Sequence, residues 1–208
     1  MRKLLLTLVP AALLAGCAGG SGLGAGGYGY YTLVHPGPER VARGSMTVTP
    51  TIPWNRARRT WQDISREEDW TLNGPLLDNL AFIGGLENNK AIVRHQRRQE
   101  RQVPRFRSDM SPQEIASMIE TFYRVRAQAV RFDMTGLKPR RFLGYPGFQF
   151  DFRHLDGSEV ERQGRAVGAV INGRLYLALL EGARSHYFPT ALPEFERIVE
   201  SARLGSGS

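Results

Sequence analysis

Cysteine and lysine are both scarce in this sequence. Cys17 is the only cysteine among 208 residues, so the core must be held by packing without an internal disulfide. Lys3, Lys90 and Lys138 are the only lysines, so arginine carries nearly all of the positive charge. The apolar run from Leu4 to Leu14 is too short to span a bilayer as a helix, which takes about 20 residues.

The sequence also lacks the patterns of common catalytic and metal sites. No two histidines have the spacing of a metal site, no G-x-S-x-G elbow occurs, and Gly84-Gly85 is not followed by the lysine and hydroxyl residue of a phosphate-binding loop. The histidines are scattered over separate segments, as His35, His95, His154 and His186. We therefore expect no metal, no cofactor and no catalytic residue.

The first residues have the pattern of an export signal. Arg2 and Lys3 precede the apolar run, and the small residues Ala15 and Gly16 follow it. A basic start, a short apolar segment and small residues are typical of a secretory signal peptide. Residues 1–16 are therefore predicted to be a signal peptide that is removed.

The residues around the cysteine predict how the exported chain is held. Leu14-Ala15-Gly16-Cys17 resembles the lipobox of bacterial lipoproteins, and the resemblance implies cleavage before Cys17 and acylation of that residue. Two or three acyl chains anchor a protein far more firmly than one, since each buried CH₂ contributes about 0.8 kcal/mol. Ala18 stands where the family has an aspartate for inner-membrane retention, so the resemblance implies the periplasmic face of an outer membrane. The alternative is an ordinary signal peptide with an incidental thiol.

Composition divides the mature chain into a tether, a folded body and a tail. Glycine is frequent from residue 17 to residue 30, and such a chain behaves as a flexible coil. Residues 17–30 are therefore predicted to be a lipidated tether, whose tyrosines could also contact the membrane interface. Residues 31–204 have the length of one domain, and residues 205–208 are predicted to be a flexible tail.

The chain is strongly basic, with a formal net charge of +8. Such a charge ordinarily indicates nucleic acid as a partner. An exported lipoprotein meets little nucleic acid, so we expect no nucleic-acid partner. The anions that it would meet are lipid headgroups, lipopolysaccharide and acidic envelope proteins.

The C-terminal half predicts a three-stranded antiparallel meander. Phe148, Phe150 and Phe152 alternate with polar residues, as one face of a strand does. The hairpin signals Asp156-Gly157 and Asn172-Gly173 separate strands at 148–152, 165–171 and 175–180. The last strand is apolar on both faces, so we expect it to lie in the interior of the sheet.

Two helices are predicted to cover this sheet. The first, at residues 112–124, follows Ser111 and has Glu114 in the position of a capping box. The second, at residues 193–203, begins at Pro193, which suits a first helical turn. Both have apolar residues at the spacing of a buried stripe.

The first half is predicted to add a few strands to the sheet. Residues 46–52 alternate as a strand does, Asn73-Gly74 indicates a turn, and one or two more strands are expected before residue 90. A further strand is predicted at residues 128–134. The predicted fold class is α+β, a mainly antiparallel sheet with helices packed on one or both faces.

Two resemblances accompany this reading. The element order, with "NGRLYLALLEG" as a strand and "FERIVESARL" as a closing helix, resembles the PsbP and Mog1-like sandwich domains over residues 105–204. The stretches "WTLNGPLLDNLAFIGGL" and "PRFRSDMSPQEI" resemble a group of uncharacterised proteobacterial lipoproteins. Proteins with this sandwich are mostly binding or assembly factors, so the resemblance implies a binding role and brings no catalytic residues.

An arginine run is the candidate binding surface. With Glu100 as its only acid, the run comprises Arg94, Arg97, Arg98, Arg101, Arg105 and Arg107. Guanidinium groups match phosphate and carboxylate oxygens, so the first four are predicted to bind anionic lipid, lipopolysaccharide or an acidic protein. The alternative is a sheet edge or loop that the arginines keep soluble.

Two other groups of residues have competing interpretations. Trp54, Trp61 and Trp70 could line a groove, but buried aromatic residues of a core explain them more simply. The carboxylates at positions 63 and 67–69 alternate with arginines, and we expect a solvated, charge-balanced segment rather than an acid/base pair.

The sequence therefore predicts a non-catalytic, lipid-anchored binding or accessory protein of the bacterial cell envelope. One alternative is an envelope hydrolase that acts on cell wall or lipid. An enzyme would have a concave pocket with convergent polar groups and a shifted pKa, whereas a binding module would expose a basic or apolar patch. A purely structural lipoprotein would have neither.

Overall fold

The fold is dominated by antiparallel strands. The computed structural model describes residues 30–58, 67–93 and 102–205. Within these residues the strands are β1 (Tyr31–Val34), β2 (Glu39–Val41), β3 (Met46–Val48), β4 (Trp54–Ala57), β5 (Glu68–Thr71), β6 (Asp78–Leu86), β7 (Arg131–Pro139), β8 (Phe148–Leu155), β9 (Glu161–Ile171), β10 (Arg174–Ala183) and β11 (Arg203–Leu204). The α-helices described are α1 (Pro112–Arg126) and α2 (Tyr187–Ser201).

Eight strands form one sheet, and three short strands form a second. The large sheet has the order β1-β4-β5-β6-β10-β9-β8-β7, and the small sheet has the order β11-β3-β2. All neighbouring strands are antiparallel. The prediction of a mainly antiparallel sheet with helices is confirmed in that form.

The predicted meander is confirmed as β8, β9 and β10. Phe150 pairs with Ala166, and Val167 pairs with Ala178. Asn172 and Gly173 join the last two strands with φ of 50° and 73°. Both values are positive, as the two-residue turn of a tight hairpin requires.

The doubly apolar strand lies inside the sheet, as predicted. β10 is hydrogen-bonded to β6 on one side and to β9 on the other. Every residue of the segment 175–180 is buried. A strand covered on both faces has no polar face, which explains why its sequence does not alternate.

The capping box predicted for α1 is present. The Ser111 hydroxyl accepts from the Glu114 amide at 3.3 Å, and the Glu114 carboxylate accepts from the Ser111 amide at 2.8 Å. The pKa of Glu114 is lowered by the hydrogen bonds that its carboxylate accepts from the Ser111 amide, from the Ser111 hydroxyl at 2.9 Å and from Arg107. The helix extends two residues beyond its predicted end, to Arg126.

The start predicted for α2 is wrong. The helix begins at Tyr187, so Pro193 lies inside it rather than in its first turn. The first turn contains Pro189 instead, where the missing N–H of proline has no helical partner to lose. The buried stripe also begins earlier than predicted, at Phe188.

The buried side chains form two hydrophobic clusters. The α1-side cluster joins α1 to strand residues that include Leu177 and Leu179. The α2-side cluster joins α2 to strand residues that include Ala178 and Leu180. Successive residues of a strand point to opposite faces, so these two sets of β10 residues lie on opposite faces of the sheet.

The first half of the chain contains more strands than predicted. The strand expected at 46–52 is only Met46–Val48, and β1, β2 and β4 were not predicted individually. Strands of three or four residues are too short to establish an alternating pattern. The strand expected at residues 128–134 begins three residues later, at Arg131.

Two of the three tryptophans belong to the core. Trp54 and Trp70 are fully buried in the α2-side cluster, with ring centroids 6.3 Å apart. They therefore line no groove, whereas Trp61 lies outside the described residues. In the described part of the chain, no helix is long and apolar enough to cross a membrane.

Candidate functional site

The α1 face of the sheet changes from apolar to polar at one end. On β8 the buried Phe152 is followed on the same face by His154, and on β10 the buried Leu179 is followed by Glu181. Arg162 on β9 lies directly opposite His154 in the register. The alternation of inward-facing and outward-facing residues thus continues to the end of each strand. At that end the inward-facing residues are ionisable instead of aliphatic or aromatic.

A buried ionic cluster forms at this end of the three strands. The His154 ring nitrogen Nε2 lies 2.9 Å from Glu181 Oε2. Arg162 Nε lies 3.7 Å from the same oxygen, and Arg162 Nη1 donates to the carbonyl of Leu76 at 2.8 Å. His154 and Arg162 are 2% and 5% exposed. The Arg162 guanidinium is therefore fixed by partners from two other segments.

The polar row continues onto β6 and β5. Asn79 lies directly opposite Glu181, and its side-chain amide donates to Asp69 at 3.1 Å. Glu67 precedes β5 and is 3% exposed. Arg126, in the last turn of α1, lies 3.3 Å from Glu67 Oε1 and 3.7 Å from Asp69 Oδ2.

The electrostatics of this end of the molecule are tightly coupled. The charge of Glu67, and then that of Asp69, raises the pKa of Arg126 despite the opposing effect of burial. Burial raises the pKa of Tyr123 well above its ordinary value, and the nearby Glu181 and Glu67 charges add to the shift. Tyr123 therefore stays a neutral phenol, with its ring centroid 5.0 Å from that of His154.

An open cleft of ≈ 870 Å³ lies between the C-terminal end of α1, the sheet and two loops. Its ionisable lining residues are Arg58, Glu67, Asp69, Tyr123, Arg126, Asp156, Arg162 and Glu181. Its apolar lining residues are Ala57, Pro75, Leu76, Phe122, Ala127 and Val160. A concave site with a few convergent polar groups and apolar walls is the usual form of a small-molecule site.

Two buried polar atoms of the ionic cluster have no hydrogen-bond partner. They are Arg162 Nη2 and His154 Nδ1. Leaving a buried donor unpaired costs about 1–3 kcal/mol, which selection tolerates more readily where a ligand can pair with it. Arg162 lines the cleft, and Nη2 itself is buried, so an acceptor from outside the chain must reach past the cleft surface to pair with it.

The cluster resembles part of an acid/base site without completing one. A histidine held by a carboxylate is a known arrangement of general bases. The side chain of His154 is fully buried, however, and His154 does not line the cleft. Among the described residues, no group of three or more His, Cys, Asp or Glu side chains is arranged to hold a metal ion.

None of the residues predicted from sequence as sites is among the described residues. Cys17 and the arginines Arg94, Arg97, Arg98 and Arg101 are outside the described residues. The next two arginines of that run are described: Arg105 donates to the Asn89 carbonyl, and Arg107 pairs with Asp109 and Glu114. These contacts hold the two arginines against neighbouring residues of the chain.

Sequence reasoning missed the cleft residues. The expectation that Glu67 is solvated is wrong, because Arg126 from α1 packs against it and the surrounding chain buries it. His154 was noted only as one of the scattered histidines, although it continues the alternating phenylalanines of β8. A polar residue on the apolar face of a strand was the available signal.

Solved structures with similar architecture identify the fold. The solution structure of cyanobacterial PsbP (CyanoP) from Synechocystis sp. PCC 6803 matches with a TM-score of 0.54 at 13% identity, covering 84% of this chain and 92% of that chain. This is a PsbP-like fold. LpqN, involved in cell envelope biogenesis of Mycobacterium tuberculosis, matches with a TM-score of 0.41 at 14% identity, covering 84% of this chain and 90% of that one. No protein-family model and no curated protein sequence matches the chain.

Proposed function

We propose that this PsbP-like protein is a lipid-anchored binding protein on the periplasmic face of a bacterial outer membrane, and that the polar cleft is its ligand site. The observation that carries the binding role is Arg162, buried at the cleft with one guanidinium nitrogen unpaired. The export and anchoring part of the proposal rests on residues 1–18, which have the pattern of a lipoprotein signal with Cys17 as the acylated residue.

The proposal also includes the other expectations from the sequence. The chain belongs with the proteobacterial lipoproteins that share its central stretches, and its helices cover opposite faces of the sheet, since α1 and α2 pack in different clusters. The arginines Arg94, Arg97, Arg98 and Arg101 form a second contact with anionic lipid, lipopolysaccharide or an acidic envelope protein. The protein acts by binding, with no metal and no cofactor.

A hydrolase is the second candidate, and one observation favours it. The His154–Glu181 pair, at 2.9 Å, is close to the cleft and could orient a general base. Binding is preferred because the His154 side chain is fully buried and packs against the Tyr123 ring. Substrate turnover that is lost in His154→Gln, with folding retained, would favour the hydrolase.

The anchor is tested by changing Cys17. The wild-type protein should incorporate labelled palmitate and fractionate with outer membranes, whereas Cys17→Ala should do neither. Ser21→Ala, in the same predicted tether, is the matched control and should behave like the wild type. A Cys17→Ala protein that keeps its label and its membrane fraction contradicts the anchor.

The cleft is tested by blocking it. Ser158 is exposed and lines the cleft, so Ser158→Trp should obstruct part of it without disturbing the core. Small molecules that co-purify with the native protein are identified by mass spectrometry, and the bound compound should be lost from this variant. Ser108→Trp, on an exposed turn elsewhere, is the control and should retain it. Equal recovery from both variants contradicts a ligand site in the cleft.

A further inference from the structure

We propose that the cleft binds a singly charged oxyanion, a carboxylate or a phosphodiester, that is carried on an apolar stem. This inference rests on the proposed function, because it names the ligand class of the same cleft. It follows from the unpaired nitrogen of Arg162, the distribution of charge in the cleft, and the exposed apolar residues at its rim.

Arg162 selects for an acceptor. Its guanidinium is held by the Leu76 carbonyl at Nη1 and by the Glu181 carboxylate near Nε, so the side chain cannot turn to pair Nη2 within the protein. Arginine has only donors, so the missing partner must be an oxygen or another acceptor. Oxyanions form the strongest such hydrogen bonds, and their geometry matches the guanidinium fork. Because the donor is fixed before binding, little ordering is needed when the ligand arrives.

The other charges of the cleft disfavour a ligand with more than one negative charge. Four carboxylates and three guanidinium groups line the cleft. Arg126 is occupied by Glu67 and Asp69, and the Asp156 carboxylate accepts from the backbone amides of Ser158 and Val160. The lining is net negative, so it repels a dianion about twice as strongly as a monoanion, while the one unpaired donor is the same for both.

The rim of the cleft is apolar and exposed. Leu76 is 84% exposed and Val160 is 40% exposed, although both are large aliphatic residues. They lie on two separate loops, and both line the same cleft as Arg162. An alkyl stem attached to the oxyanion would cover them and remove their surface from water.

The test uses short soluble probes and the native lipidated protein in nanodiscs of zwitterionic lipid. Binding of hexanoate and of hexyl methyl phosphate is measured by isothermal titration calorimetry, with 1-hexanol and inorganic phosphate as probes that lack the charge or the stem. We expect the two amphiphilic monoanions to bind at one site at least tenfold more tightly than either control probe, which corresponds to about 1.4 kcal/mol. Equal affinity for 1-hexanol, or for inorganic phosphate, overturns the inference.

Variants separate the charge from the stem. Arg162→Lys should lose at least tenfold in affinity for both monoanions, because lysine lacks the fork that holds the Leu76 carbonyl and the ligand together. Arg165→Lys, on the same strand but on the other face, is the matched control and should change affinity less than twofold. Leu76→Asn should weaken hexanoate binding severalfold, and Leu33→Asn, an exposed apolar residue on β1, should not. Because Leu76 is exposed, Leu76→Asn tests the inference even if Arg162→Lys fails to fold. Unchanged hexanoate affinity in Leu76→Asn, or in a folded Arg162→Lys, overturns the inference.

The two sources of such an anion are distinguished by the nanodisc lipid. If the natural ligand is a phosphodiester lipid, phosphatidylglycerol in the nanodisc should compete with hexanoate, and if it is a free carboxylate, hexanoate affinity should not change. Both results support the oxyanion site and identify its source. If Ser158→Trp loses the co-purified compound but Arg162→Lys binds hexanoate as the wild type does, this inference is overturned and the proposed function stands. No effect of Ser158→Trp on either measurement overturns both.

Discussion

Asp78 is expected to stabilise both the fold and the cleft. It is fully buried at the start of β6, where its carboxylate accepts four hydrogen bonds. The donors are the Thr71 hydroxyl at 2.8 Å, the Leu72 amide at 2.6 Å, and the amide and side chain of Asn73 at 3.0 and 2.7 Å. These bonds close the loop that carries Leu76, whose carbonyl holds Arg162.

The substitution Asp78→Asn keeps the shape and removes half of this acceptor capacity. One carboxylate oxygen becomes an NH₂ group, which faces two of the four donors. A hydrogen bond to a charged group contributes about 1.5–3 kcal/mol, and partly exposed donors recover some of this from water, so we expect a loss of about 3 kcal/mol. A domain of this size loses about 2–4 °C in Tm per kcal/mol, so Tm should fall by about 6–12 °C.

Thermal unfolding followed by circular dichroism measures this change. Asp109→Asn is the matched control, because Asp109 is 78% exposed and makes one surface ion pair, with Arg107. A surface change of this kind should stay within about 0.5 kcal/mol of the wild type. A Tm for Asp78→Asn within about 2 °C of that control would refute the hydrogen-bond argument. Hexanoate affinity should fall together with Tm, because the loop of Leu76 is loosened.

Two further predictions concern the opposite face of the sheet and the packing beneath α1. Burial alone would raise the pKa of Glu196, but hydrogen bonds from Arg140 at 2.6 Å and Arg165 at 2.7 Å lower it below its ordinary value of 4.5. The stabilisation from Glu196 is therefore complete above about pH 4.5 and is lost as pH falls through the lowered pKa. The free energies of unfolding in urea of wild type and Glu196→Gln should differ most near pH 7 and converge in acid. A difference that does not shrink in acid would contradict this. Gly164→Ala should lower the free energy of unfolding by about 1–3 kcal/mol, because a Cβ at Gly164 would overlap the ring of Phe152 on the neighbouring strand. A change within about 0.5 kcal/mol would contradict this, because it would show that the ring moves aside freely.

Local sequence patterns predict the meander and α1 well. Asn172-Gly173 closes a hairpin, and Ser111 with Glu114 begins a helix, because these residues form their turn or cap hydrogen bonds with near neighbours in the chain. The start of α2 was misjudged because Pro193 suits a helix start locally, and only the packing of Phe188 into the core extends the helix past it.

The cleft could not be predicted in the same way. Glu67 and Arg126 are far apart in sequence, and either alone resembles one of many solvated charges in a chain with 28 basic and 20 acidic residues. His154 and Glu181 occupy strand positions whose alternation indicates burial, but no local pattern states that their partners are charged. Strand order and register bring these groups together, and burial removes the water that would otherwise screen them.

The amino-acid sequence alone therefore predicts the lipoprotein signal, the hairpins and the helix cap, since each depends on residues that are close in the chain. The tertiary structure decided which charged residues are buried, which of them meet, and that Arg162 keeps an unpaired nitrogen at an open cleft. The physical reason is that the state of a buried charge depends on partners brought by distant strands and on exclusion of solvent, and neither is determined by neighbouring residues.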